Sequence, residues 1–146
     1  MRLTVFTDYT LRVLMYLALE PTRRSTIAEI AAAYGISEHH LTKVAHRLGQ
    51  SGAIETLRGK SGGIRLAQAP EDIRLGSVVR ICEGGMAIVE CLDQEVSPPC
   101  RIAPACRLAG ILEEGFEALY KALDAYTLAD LVAQPRRLHR LLRQEA

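Results

Sequence analysis

The chain has 146 residues, 49% of them hydrophobic, no tryptophan, and a formal net charge of +1. That length allows one buried core with an appended element, and no apolar run approaches the roughly 20 residues of a membrane span, which excludes an embedded protein. No nucleophile–base constellation or cofactor fingerprint is visible, so an enzyme is not expected. Charge is unevenly spread. Residues 1–80 carry a net +4 and residues 81–146 a net −3, so a polyanionic partner fits the front half only. No signal-like segment opens the sequence, and the expected compartment is the cytoplasm, where clustered cysteines hold metal or do redox work.

Phe6 to Leu19 repeats apolar residues at Leu11, Leu14, Met15 and Ala18, the spacing of one helix face, with Thr7 as the expected N-cap and Glu20-Pro21 as the stop. Asp8 then falls in the first turn, where the helix dipole favours a carboxylate, and Arg12 is one turn on, able to pair with it. Thr26 and Glu29 make a capping-box pattern before a second helix, which Gly35 ends. Ser37 is the expected cap of a third helix whose buried stripe is Leu41, Val44, Ala45 and Leu48. A short Ala-rich helix, a Gly turn and a polar-faced amphipathic helix spell a helix-turn-helix. His39, His40, Thr42, Lys43, His46 and Arg47 line the outer face of this recognition helix. With Ser37, they are the expected contacts to phosphates and base edges. His39 and His40 are adjacent and point apart, which disfavours a metal site there.

Two β-prone runs, Ile54–Leu57 and Ile64–Leu66, flank a basic, Gly-rich turn from Arg58 to Gly63. The turn lacks the G-x-x-x-x-G-K-S/T spacing and leads into a strand, so a nucleotide cradle is not expected. A basic hairpin after a helix-turn-helix is a wing. Arg58, Lys60 and Arg65 are expected to reach the DNA backbone or minor groove, with Gly59, Ser61 and Gly62 letting the main chain approach closely. Leu75 to Glu83 reads as a short apolar helix holding Cys82 as a small buried hydrophobe.

Further on, Leu108, Ile111, Leu112, Gly115, Leu119 and Leu123 share one face of a long helix. The stripe suits either intramolecular packing or a dimer helix, and helix-turn-helix proteins usually read two half-sites as dimers. Tyr126 to Val132 reads as a capped turn and Pro135 to Arg143 as a basic amphipathic helix. The expected fold class is mainly α with a small β-hairpin wing. It divides into a winged helix-turn-helix (1–83), a cysteine-rich loop (84–106) and a dimerisation helix with C-terminal helices (107–146).

That loop holds Cys91, Cys100 and Cys106, with eight and five residues between them and with Pro98, Pro99 and Pro104 to stiffen it. It lacks the close C-x2-C pairs of structural zinc and matches neither common ferredoxin spacing. Three thiolates suit an iron–sulfur cluster one protein ligand short. The spacing alone also fits a thiol–disulfide switch or inert cysteines.

The order helix, winged helix-turn-helix, three-cysteine loop, long helix resembles the IscR/NsrR/RirA family of bacterial iron–sulfur transcription regulators over essentially the whole chain. The motifs that carry it are F-T-D-Y-T-L-R at 6–12, R-G-K-S-G-G-I-R-L at 58–66, C-R-I-A-P-A-C-R-L at 100–108 and Y-T-L-A-D-L-V at 126–132. The last two are specific to its nitric-oxide-sensing NsrR branch. The resemblance implies a homodimeric repressor in which nitric oxide acts on an iron–sulfur cluster, 2Fe-2S or 4Fe-4S, that controls binding to double-stranded operator DNA. It makes Cys91, Cys100 and Cys106 the cluster ligands, Asp8 a fourth ligand donated by the other subunit, and Arg12 the coupling residue beside it. Ala109 stands where the IscR pattern has a His, and Asp8 separates the chain from the iron-responsive RirA type, the alternative inside the family. The Cys91–Cys100 gap is longer than in several NsrR-like sequences. Outside the family, the alternatives are a cluster-free thiol redox switch and an electron-transfer or cluster-carrier protein.

Overall fold

The computed structural model of the chain describes residues 3–57, 59, 62–83 and 100–143. Its first helix, α1 (Val5–Leu19), is capped by Thr4 rather than by Thr7: the Thr4 hydroxyl accepts from the Thr7 N–H at 3.2 Å. Thr7 is fully buried, and its own hydroxyl donates to Glu83. The buried stripe is also wider than the apolar spacing suggested. Val13 and Leu17 are enclosed along with Leu14, while Leu11 and Met15 only lean on the core. A helix that packs against α3 on one side and α4 on another needs two apolar faces, and α1 does both.

The second helix, α2 (Ile27–Tyr34), starts at Thr26, whose hydroxyl accepts from the Glu29 N–H, and stops at Gly35 with φ 63°. The capping box is half formed, because the Glu29 carboxylate turns instead to Tyr16 Oη at 2.9 Å and Arg23 at 2.7 Å. The recognition helix, α3 (Glu38–Gln50), buries Leu41, Val44, Ala45 and Leu48 as the sequence predicts. Ser37 occupies its N-cap position, but the expected side-chain cap bond is not made.

β1 (Ile54–Leu57) and β2 (Gly63–Leu66) pair antiparallel, Ile54 opposite Leu66 and Leu57 opposite Gly63. Ser25 exchanges two backbone hydrogen bonds with Ile64, at 3.0 and 2.9 Å, so the α1–α2 connector braces the hairpin as a third short strand. α4 (Leu75–Glu83) returns to α1, and α5 (Leu108–Leu123) lies on α4. There Arg80 binds Glu117 at 2.9 Å and covers the Tyr120 ring at 4.5 Å. α6 (Leu128–Leu131) begins with a reciprocal capping box between Thr127 and Asp130, and its Leu128 is wholly enclosed in the same core as α1. α7 (Pro135–Arg143) packs on α1 and α2. Among the described residues no helix is long and apolar enough to cross a membrane.

Candidate DNA-binding surface and metal-ligand elements

The inward stripe of α3 leaves His39, His40, Thr42, Lys43, His46 and Arg47 exposed, as the amphipathic pattern requires. Lys43 and His46 make no hydrogen bond or ion pair among the described residues, and the Thr42 hydroxyl donates to the Glu38 carbonyl of its own helix. A groove runs beside this face, lined by Thr42, His46 and Gln50 from α3 and by Thr56 and Ile64 from the hairpin. Basic and hydroxyl groups facing an open groove between helix and wing suit a phosphodiester backbone.

Arg65 is held by Glu55 at 2.7 Å across the strands, so its guanidinium braces the hairpin. Gly59 has φ 107°, and a Cβ on Gly62 would sit 2.5 Å from the Leu57 carbonyl oxygen, so both positions require glycine. Arg58, Lys60 and Ser61 lie outside the described residues.

Asp8 and Arg12 form a two-point ion pair, with contacts of 3.1 Å from Nη2 and from Nε. Both side chains are about half exposed, at 50% and 42%. Such a pair contributes at most ~1 kcal/mol and lets go easily. The Arg12 guanidinium also lies 5.8 Å from the Tyr34 ring centroid, a contact of similar size. Tyr34 is the last residue of α2, and burial pushes its pKa up to about 12, so it stays a neutral ring. Tyr9, next to Asp8, meets His40 in the first turn of α3 at 6.0 Å between ring centroids. Two residues flanking the Asp8 carboxylate therefore touch the helix-turn-helix at its turn and at the start of the recognition helix.

The cysteines are placed by two linked turns: the Ala103 N–H donates to the Cys100 carbonyl and the Cys106 N–H to the Ala103 carbonyl. Cys106 then stands at the start of α5, where its Sγ accepts from the Leu108 N–H at 3.4 Å. That contact fixes where the sulfur points, and cysteine sulfur is the donor that iron–sulfur clusters take. Cys100 is exposed. Cys91 lies outside the described residues, and among the described ones no three metal-ligating side chains converge. The donor chemistry present fits a cluster. Cys82 is different: burial pushes its pKa up, against hydrogen bonds from Thr10 and Thr7, which keeps it a thiol.

Sequence reasoning missed Glu83, the last described residue before the cysteine loop. Its Oε1 accepts from Thr4 N at 2.8 Å, from Thr4 Oγ1 at 2.9 Å and from Thr7 Oγ1. Burial raises its pKa, but these bonds from Thr7 and Thr4 outweigh it and leave the pKa lowered. The end of α4 is thus tied to the start of α1, one turn from Asp8. Glu83→Ala strands three donors at a partly buried site and is expected to cost about 1–3 kcal/mol. Because the folded pKa is depressed, that stability is present above the ordinary Glu range and lost as pH falls through the folded value. The melting difference between variant and wild type should therefore shrink below about pH 4. A difference independent of pH would place the effect elsewhere.

The family model for Rrf2, described as an iron-dependent transcriptional regulator, matches residues 3–134. The transcriptional regulator NsrR of Bacillus subtilis is 49% identical over 146 residues, covering 99% of each chain, and NsrR of Halalkalibacterium halodurans is 46% identical over 144, covering 98% of each. The structure of CymR, the global cysteine regulator of B. subtilis, aligns with a TM-score of 0.69 at 27% identity, over 91% of this chain and 97% of that one. IscR of T. potens shares the fold, with a TM-score of 0.67 at 23% identity, over 91% and 87%. The chain belongs to the Rrf2 family of DNA-binding transcriptional regulators.

Proposed function

We propose that the chain is a homodimeric repressor whose operator binding is set by an iron–sulfur cluster and released by nitric oxide. Cys91, Cys100 and Cys106 would hold the cluster, and Asp8 from the other subunit would complete it. The observation that carries this reading is the junction at the start of α1. Asp8 is exposed there, beside contacts to both helices of the helix-turn-helix, while Glu83 ties the entrance of the cysteine loop to the same turn. The B. subtilis and H. halodurans relatives, both named NsrR, point the same way.

When bound, the cluster supplies iron that nitric oxide can attack. The protein's part is a choice between partners. Were Asp8 held by the cluster, Arg12 would keep only the Tyr34 ring. With Asp8 released, Arg12 is shared between carboxylate and ring. Both contacts are worth about 1 kcal/mol or less, so one ligand bond is enough to decide between them. If the two arrangements set the spacing of two recognition helices differently, a ~3 kcal/mol poorer fit weakens operator binding over 100-fold. Dimerisation is supported by α5, whose Leu108 and Ile111 are 53% and 58% exposed although they head its apolar stripe.

The test uses DNA fragments selected from a random pool by protein reconstituted without oxygen, with affinity measured before and after nitric oxide. Equal affinities would sink the sensor reading. Asp8→Ala should alter the cluster's absorption and circular dichroism spectra, and an identical spectrum would remove Asp8 from the ligand set.

A further inference from the structure

Some of the described arginines are held by carboxylates, and others, Arg47, Arg101, Arg107 and Arg137 among them, are exposed and make no ion pair among the described residues. Arg12, Arg23, Arg65 and Arg80 are each held by a carboxylate. Arg24, Arg136 and Arg140 are also exposed and make no ion pair among the described residues. Two of these lie on α7, a segment with four arginines and no acidic residue inside an otherwise acidic half of the chain. Arg136 and Arg140 are one helical turn apart and share a face.

The docking of α7 fixes where that charge lies. His139 Nε2 stands 3.5 Å from Glu20 Oε1, and Leu142 closes a small cavity against Leu19, Arg23 and Ser25. Ser25 is the residue that pairs with Ile64 in the wing. A Cβ on Gly63 would lie 3.3 Å from Arg24 Cβ, which seats Arg24 on the tip-proximal end of β2. One connector thus carries Arg24 at the wing and holds α7 through the residues on either side of it.

We propose that Arg24, Arg136 and Arg140 form an additional phosphate-contacting edge, continuous with the wing, that holds the DNA backbone beside the stretch faced by α3. The proposal rests on the DNA-binding reading above. Continuity with the wing favours a duplex over an acidic protein. Arginines on phosphates fix position and orientation and carry no base preference, so the edge would act on any sequence.

The probe is a mixed-sequence duplex of about three helical turns, titrated with the full chain across a salt series. The variants are Arg24→Gln, the pair Arg136→Gln with Arg140→Gln, and Lys121→Gln as an exposed cation on α5 away from the edge. Removing one arginine from a phosphate flattens the plot of log affinity against log salt by about 0.9. Per subunit, the slope should fall by about 1 in the Arg24 variant and by about 2 in the paired variant, while Lys121→Gln keeps the wild-type slope. Unchanged slopes in both edge variants, with wild type binding normally, would overturn the edge and leave the operator reading standing. An equal fall in Lys121→Gln would also overturn it, since the effect would then follow net charge and not place. Wild type that shows no salt-dependent binding would overturn the DNA-binding reading itself.

Discussion

Cys106→Ser protein, purified without oxygen, is expected to hold little iron or acid-labile sulfide, and its affinity for selected DNA should fall about 100-fold, to the level of metal-free protein. Serine keeps the shape but removes a soft thiolate donor, and iron–sulfur clusters are held by thiolates. A three-cysteine set has no spare to lose. The local structure sharpens the expectation, because Cys106 Sγ sits at the start of α5 and accepts the Leu108 N–H. Cys82→Ala is the contrast. Its thiol is kept protonated by burial, and the variant should load iron as wild type does. Iron and sulfide analysis per chain reads both. Full iron in Cys106→Ser, or its loss in Cys82→Ala, would show that the ligand set has been misassigned.

Gly76→Ala should lower the melting temperature by roughly 4–12 °C, from about 1–3 kcal/mol of overpacking. An added methyl would overlap the Tyr120 carbonyl oxygen and come within 2.5 Å of Asp124 Oδ1. Neither neighbour can easily move. Tyr120 lies under the Arg80 guanidinium, and Asp124 Oδ1 accepts the Ser77 N–H at 2.9 Å. The helices must part instead, and α5 is the helix that begins beside Cys106, so iron loading should fall as well. Gly110→Ala, where the new methyl meets nothing within 4 Å, serves as the control. Equal melting temperatures for the two variants would remove the close α4–α5 approach as a determinant of stability.

Local periodicity made much of this fold legible. α4, α5 and α7 span the stretches that their apolar spacing predicts, and the hairpin is within one residue of its expected span. The failures share a cause. Thr7 was read as the cap because Glu83, the partner that takes its hydroxyl, is 76 residues away. Ser37 stands where a cap belongs, yet position alone does not make its hydroxyl bond. The Arg65–Glu55 ion pair was equally hidden, because the two residues become neighbours only when the strands pair. The Tyr9–His40 and Arg12–Tyr34 contacts likewise depend on how α1 crosses α2 and α3, which no single-helix pattern encodes. The candidate site was read mainly from cysteine spacing and resemblance, and Cys91 falls outside the described residues.

The division of α3 has a consequence for how such regulators diverge. Leu41, Val44, Ala45 and Leu48 hold the helix in the core, while Lys43 and His46 on its outer face bond to nothing else among the described residues. Substitutions at exposed positions without partners usually change stability by less than about 0.5 kcal/mol. Residues on this face can therefore be exchanged while the scaffold around them stays intact. Descendants of one ancestor could acquire new operators by drift on this face, with the cysteine loop and the clasp at Glu83 inherited unchanged.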